Sequence, residues 1–199
     1  MKPLRHCLLA LICLWLAAGP AQAGLQEDVA AAVEARNQHD YPKAVRLVSA
    51  WINKGRLPKV ALGELYVMRG VFWQEQHEYY RAISDYTRAS GLLPERGEPH
   101  NNLAWIFATC WNSAFRNGDL AVKHGEKAAE LLHESAASLD TLAAAYAEAG
   151  RFADAVRMQE RVLKMCAQEP GKCRLKETQR HLEAYKAGQA WRDTSAARQ

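Results

Sequence analysis

No G-x-S-x-G, no G-x-G-x-x-G and no glycine-rich loop followed by lysine occurs in these 199 residues. The common sequence devices for an activated serine, a dinucleotide or a nucleotide phosphate are therefore missing. Cysteine is scarce: of the five, none belongs to a C-x-x-C pair and none to C-x-x-C-H, which excludes a covalent haem signal and leaves a poor zinc site. His77-Glu78 and His133-Glu134 begin like H-E-x-x-H, but Arg81 and Ala137 stand where the second histidine would have to be. Neither pair can present two imidazoles to a metal one helical turn apart. Charge of one sign is lacking too. The formal net charge is +4, and +2 once Lys2 and Arg5 are set aside, which gives no electrostatic case for nucleic acid or an anionic membrane. With 49% hydrophobic and 24% charged residues, the composition is that of a globular protein.

Long hydrophobic runs are equally short of what a membrane needs. Leu8 to Ala18 is an uncharged stretch of eleven residues, about 16 Å of helix against a hydrocarbon core of about 30 Å. It follows Lys2, Arg5 and His6 and precedes Gly19-Pro20 and Ala21-Gln22-Ala23. Basic region, apolar region, breaker and A-x-A together predict a signal peptide over 1–23, cleaved before Gly24, and export in the style of a bacterial envelope, with the periplasm as destination or secretion as the alternative. An oxidising compartment permits disulfides. Cys166 and Cys173 bracket the turn-rich Gln168-Glu169-Pro170-Gly171, which can reverse the chain and pair them. The alternative is two reduced thiols, if a helix continues through 166–169 and aims the sulfurs apart. Cys110 has no neighbouring His or Lys and reads as a small packing residue.

What the sequence does have is a repeat. Tyr41-Pro-Lys-Ala44-Val45, Tyr79-Tyr-Arg-Ala82-Ile83 and Phe152-Ala-Asp-Ala155-Val156 share an aromatic residue, two free positions, alanine and a β-branched residue, and Gly118-Asp-Leu-Ala121-Val122 keeps the last two. The four alanines are 38, 39 and 34 residues apart, a spacing that signals a solenoid. Each unit reads as two helices: Tyr66, Gly70 and Trp73 then Tyr79, Ala82 and Tyr86 in the second, and Leu139, Ala143 and Tyr146 then Phe152, Ala155 and Val162 in the fourth, with Gly150 as a left-handed cap between them. Small residues at fixed points let the paired helices approach closely.

These residues resemble the tetratricopeptide repeat family. Glu78 to Ala89 with Pro94, and Leu139 to Phe152, follow its pattern of large, small and aromatic positions, Asn101 to Cys110 resembles its longer-looped version, and the first unit is degenerate. The resemblance implies an all-α, right-handed α-solenoid, with repeats at about 25–58, 63–96, 97–135 and 136–169, a capping helix over 171–190 (Lys172 to Lys186 at its centre) and a flexible tail over 191–199. It also implies a concave face lined by the first helix of each repeat. Carried over position by position, that face receives Val29, Val33, Arg36 and Asn37, then Val67, Val71, Gln74 and Glu75, then Asn101 and Trp105, and finally Asp140, Ala144 and Glu148. Packing between repeats is the competing role for the valines and Trp105. Val29, Val33, Val67 and Val71 also stand where a carboxylate clamp would need polar groups.

The function expected from this is non-catalytic: an adaptor or scaffold that binds a protein or peptide partner without a cofactor, metal or nucleic acid. A structural subunit that uses its convex face or helix ends is the first alternative, and an enzyme with dispersed catalytic groups the second. In the loop between Thr109 and Gly118, Trp111 and Phe115 are expected to fold back over neighbouring repeats; as exposed aromatics they would instead be partner anchors.

Overall fold

Short caps and small-residue crossings set the local structure. In a computed structural model, residues 20–169 and 174–193 are described, and among them the protein is all-helical with no strand. The helices are α1 (Pro20–Asn37), α2 (Tyr41–Lys54), α3 (Lys59–Glu75), α4 (Tyr79–Leu92), α5 (Gly97–Thr109), α6 (Gly118–Leu131), α7 (Ala136–Glu148), α8 (Phe152–Gln168) and α9 (Leu175–Lys186). They fall into two compact units, Met1–Leu93 and Pro94–Gln199. Within each unit every helix packs on its sequence neighbour.

Most of the predicted leader lies outside the described residues, as do 170–173. α1 starts at Pro20 and so includes the last residues assigned to the leader, while its buried Leu25, Val29, Ala32 and Ala35 all follow Gly24. Cleavage there would leave the packed face of α1 whole.

Helix starts are written in the side chains. Asp40 accepts the Lys43 N–H at 3.0 Å, with Pro42 in the first turn of α2, and Asn117 and Ser135 do the same for α6 and α7, each satisfying a donor with no partner inside its helix. Helix ends repeat one turn. After α1, α3 and α7 the residues His39, His77 and Gly150 take left-handed conformations, with φ of 61°, 62° and 76°. The next N–H then reaches back to close the turn: Asp40 to the Ala35 carbonyl at 2.8 Å, Glu78 to Trp73 at 2.9 Å, Arg151 to Tyr146 at 2.8 Å. This is the Schellman arrangement. It delivers Tyr41, Tyr79 or Phe152 as the first residue of the following helix. His77 and His133 both sit in such turns, not side by side with a second histidine on a helix.

In the first unit, Val48, Leu65, Met68 and Phe72 form the centre of the core. In the second, α7 is buried on almost every side from Ser138 to Ala147, because it packs against α5, α6, α8 and α9. Its run of alanines, Ala143 to Ala145, permits that crowding, and Ala155 on α8 is fully buried against the same core. Beyond α9, Gly188 at φ 69° redirects the chain, and residues 189–193 run back toward α5. There Asp193 donates its N–H to the Thr109 carbonyl at 2.8 Å and forms an isolated parallel bridge with Cys110. Residues 191–193, assigned to a flexible tail, instead lie against the second unit: the Trp191 ring packs on His181, and the Arg192 guanidinium and the Asp193 N–H find the carbonyls of Ala108 and Thr109.

Candidate functional site

The first-unit candidates are mostly consumed internally. Val67 is buried, and Val33 and Val71 pack against the core. Arg36 donates through Nε to Glu75 Oε2 at 2.8 Å, and both side chains are largely covered. Gln74 accepts the Tyr86 hydroxyl at 3.0 Å. Asn37 is exposed. The valines are therefore packing residues, Arg36 and Glu75 are paired to each other, and Gln74 is held by Tyr86.

In the second unit Trp105 and Asp140 meet around His181, and Glu148 lies beside Arg192. Asp140 Oδ1 on α7 accepts from Gln159 Nε2 on α8 at 2.7 Å and from His181 Nδ1 on α9 at 3.0 Å. His181 is buried, and its ring lies 6.2 Å from Trp105 on α5, 6.3 Å from Tyr185 and 4.4 Å from Trp191. With Nδ1–H donating to Asp140, Nε2 is left as an acceptor; neither it nor the Tyr185 hydroxyl has a hydrogen-bond partner among the described residues. Burial and the nearby Asp140 carboxylate hold the Tyr185 phenol well above its ordinary pKa, with Arg192 pulling the other way. Asn101 Oδ1 is also buried and unpaired among the described residues.

Glu148 sits between two arginines. Arg116, from the loop after α5, donates Nε to Oε1 at 3.1 Å, and Arg192 Nη1 lies 2.7 Å from Oε2. Arg116 also takes the carbonyls of Cys110 and Trp111 at 2.9 and 3.2 Å, and Arg192 that of Ala108 at 3.3 Å. The loop is thus fastened by its arginine. Phe115 is half-buried, but Trp111 remains 47% exposed, contrary to the expectation that it folds back, since the guanidinium holds the backbone beside it without needing the ring. Arg116, His181, Trp191 and Arg192 were not singled out from the sequence. The signal available was an aromatic and a basic residue adjacent to one another, Trp191-Arg192, in an otherwise small and polar terminal stretch.

Two further histidines meet on the second unit. His100 Nδ1 on α5 and His124 Nδ1 on α6 are 2.8 Å apart, a distance that needs one donor and one acceptor. Burial, then His100 and then Lys123, hold the His124 imidazole down at about 4. Burial lowers His100 as well, helped by Lys127 and Lys123.

Cys110 is a buried thiol on the rim of the same face. Cys166 is disulfide-bonded, and its expected partner Cys173 lies outside the described residues. Among the described residues no group of three or more His, Cys, Asp or Glu side chains is arranged to hold a metal ion, and no helix is long and apolar enough to cross a membrane. What the face offers chemically is a carboxylate, an aromatic slot and main-chain carbonyls, already holding a stretch of extended polypeptide. No protein-family model matches the chain, and comparison with curated proteins returns no match.

Proposed function

We propose that this chain is an exported, non-catalytic adaptor or scaffold of the tetratricopeptide-repeat type, its helix pairs forming a right-handed α-solenoid that binds an extended protein segment along the first helices of its repeats. The bacterial periplasm is the proposed compartment. The observation that carries the reading is the occupancy of the α5 and α7 face. Residues 191–193 lie across His181, Thr109 and Glu148 and are held through an indole, a main-chain N–H and a guanidinium. A surface that binds one extended strand in this way has the donors, acceptors and apolar slot to bind another. The recurring left-handed turns and the small residues at helix crossings support the repeat reading.

The test is photo-crosslinking in the native envelope, from position 101 on this face and from position 120, where Leu120 is exposed on α6. The proposal expects a discrete protein adduct from 101 and none from 120. Adducts from 120 alone would transfer the function to the outer surface. N-terminal sequencing of the exported protein is expected to begin at Gly24; Met1 retained on membrane-bound protein would overturn the export step.

A further inference from the structure

We infer that residues 189–193 are an intramolecular ligand of the second unit, and that its α5 and α7 face selects an extended peptide in which an aromatic residue is followed by arginine, admitted when it displaces this segment. The inference rests on the peptide-binding reading and adds the identity of the side chains recognised.

The segment differs from the helices beneath it. His181 and Tyr185 are almost fully enclosed, whereas residues 190–193 are only half-covered and Gln189 is exposed. Its indole is the outer layer over His181. Gly188, in its left-handed conformation, ends α9, with the Gln189 N–H closing on the Ala184 carbonyl at 2.9 Å before the chain turns toward α5.

Selectivity follows from what each residue meets. The Trp191 ring packs 4.4 Å from the His181 ring, in a slot whose floor also carries the unpaired His181 Nε2. Arg192 reaches the Glu148 carboxylate together with the carbonyls of Ala108 and Trp191. All three contacts are made by Nη1, and of them the Glu148 carboxylate and the Ala108 carbonyl belong to the face while the Trp191 carbonyl belongs to the segment itself, so the face asks for a cationic donor at this position. Arg116 holds Glu148 Oε1, so Oε2, the oxygen that Arg192 approaches, is the one an incoming arginine would take. The Asp193 N–H to Thr109 carbonyl bond fixes the direction in which the strand lies and is available to any residue except proline.

A tethered ligand competes at an effective concentration of about millimolar, so the same peptide added in trans should bind the intact protein weakly and a protein with its segment disabled tightly. The experiment uses the full mature chain and a fluorescent synthetic peptide with the sequence of residues 188–197, followed by anisotropy. The Trp191→Ala/Arg192→Ala variant is expected to bind this peptide at least about tenfold more tightly than the wild type. Adding Glu148→Gln to that variant, or replacing either the tryptophan or the arginine of the peptide by alanine, should remove the gain. An opened variant of unchanged helical content that binds the peptide no better than the wild type overturns the inference.

Should the double substitution impair folding, hydrogen exchange on the wild type decides. The Asp193 amide is expected to exchange faster than the amides of Ala143 to Ala147, and faster again with excess peptide. Protection equal to that of α7, unmoved by peptide, would show the segment to be an integral part of the fold. That result would leave an envelope adduct from position 101 standing, so the two readings fail separately.

Discussion

The ring of Tyr86 lies across Gly70 so closely that a β-carbon built at position 70 would come within 2.6 Å of Cε1 and 2.8 Å of Cδ1. Tyr86 is fully buried, and its hydroxyl is held by Gln74, so the ring cannot swing away. Helix propensity alone would reward Gly70→Ala by about 1 kcal/mol. Overpacking decides instead, and the substitution should cost roughly 1–3 kcal/mol. Denaturant titration checks it, and Gly70→Ala with Tyr86→Leu should recover part of the loss.

Two other glycines separate backbone strain from packing. Gly150 and Gly91 both have open space where a β-carbon would go, but only Gly150 has a positive φ, 76°. Gly150→Ala is expected to destabilise by about 1–2 kcal/mol because the left-handed region is costly for alanine. Gly91→Ala, near the end of α4, should stabilise by about 0.5 kcal/mol. Opposite shifts in the thermal midpoint are the expected result.

Asp85 is 3% exposed and accepts from Arg69 twice, Nε to Oδ2 at 2.7 Å and Nη2 to Oδ1 at 2.8 Å, while Arg69 Nη1 reaches Ser49. Asp85→Ala strands a guanidinium among covered groups and should cost about 3–5 kcal/mol. Arg69→Met together with Asp85→Leu removes both charges and should cost much less. A double-mutant cycle by urea unfolding measures the coupling.

The His100–His124 pair sets a pH dependence. His124 titrates near 4 in the folded protein and near 6.5 when unfolded, so between those values the unfolded chain binds more protons and stability rises with pH. Its contribution is complete above about pH 6.5 and is lost as the pH falls toward 4. Thermal midpoints should therefore decline over this window, and His124→Gln should flatten the decline.

Cys166 is disulfide-bonded. If Cys173 is its partner, alkylation of the denatured, unreduced mature protein labels one thiol, that of Cys110, and Cys173→Ser exposes Cys166 to label. Closing a loop of about eight residues should contribute roughly 2.5 kcal/mol on the chain-entropy account. Chemical denaturation with and without reductant measures it.

How much of this was legible in the sequence depends on how far apart the interacting residues lie. Gly150 as a left-handed cap, and Gly70, Ala82 and Ala155 as close-packed positions, are local consequences of the helix period and could be read directly. His39 and His77 occupy the turn that glycine fills after α7, and a rule built on glycine passes over them. Trp105, Asp140 and Glu148 were placed on a shared face by the family resemblance. Their partners His181 and Arg116 lie 41 residues from Asp140 and 32 from Glu148 respectively, separations over which periodicity carries no information. Residues 189–193 have no helical or alternating pattern to read, and what holds them is supplied by other helices. The valines went the other way: the resemblance put Val67 on a binding face with packing as the competing role, and a buried apolar side chain there is worth more in the core.

The bond from Asp193 to Thr109 also has a meaning in time. Every helix around the α5 and α7 face is translated before Asp193, and the contact closes a chain of more than eighty residues. A nascent chain that has not yet reached Trp191 therefore has no segment of its own with which to cover His181 and Glu148.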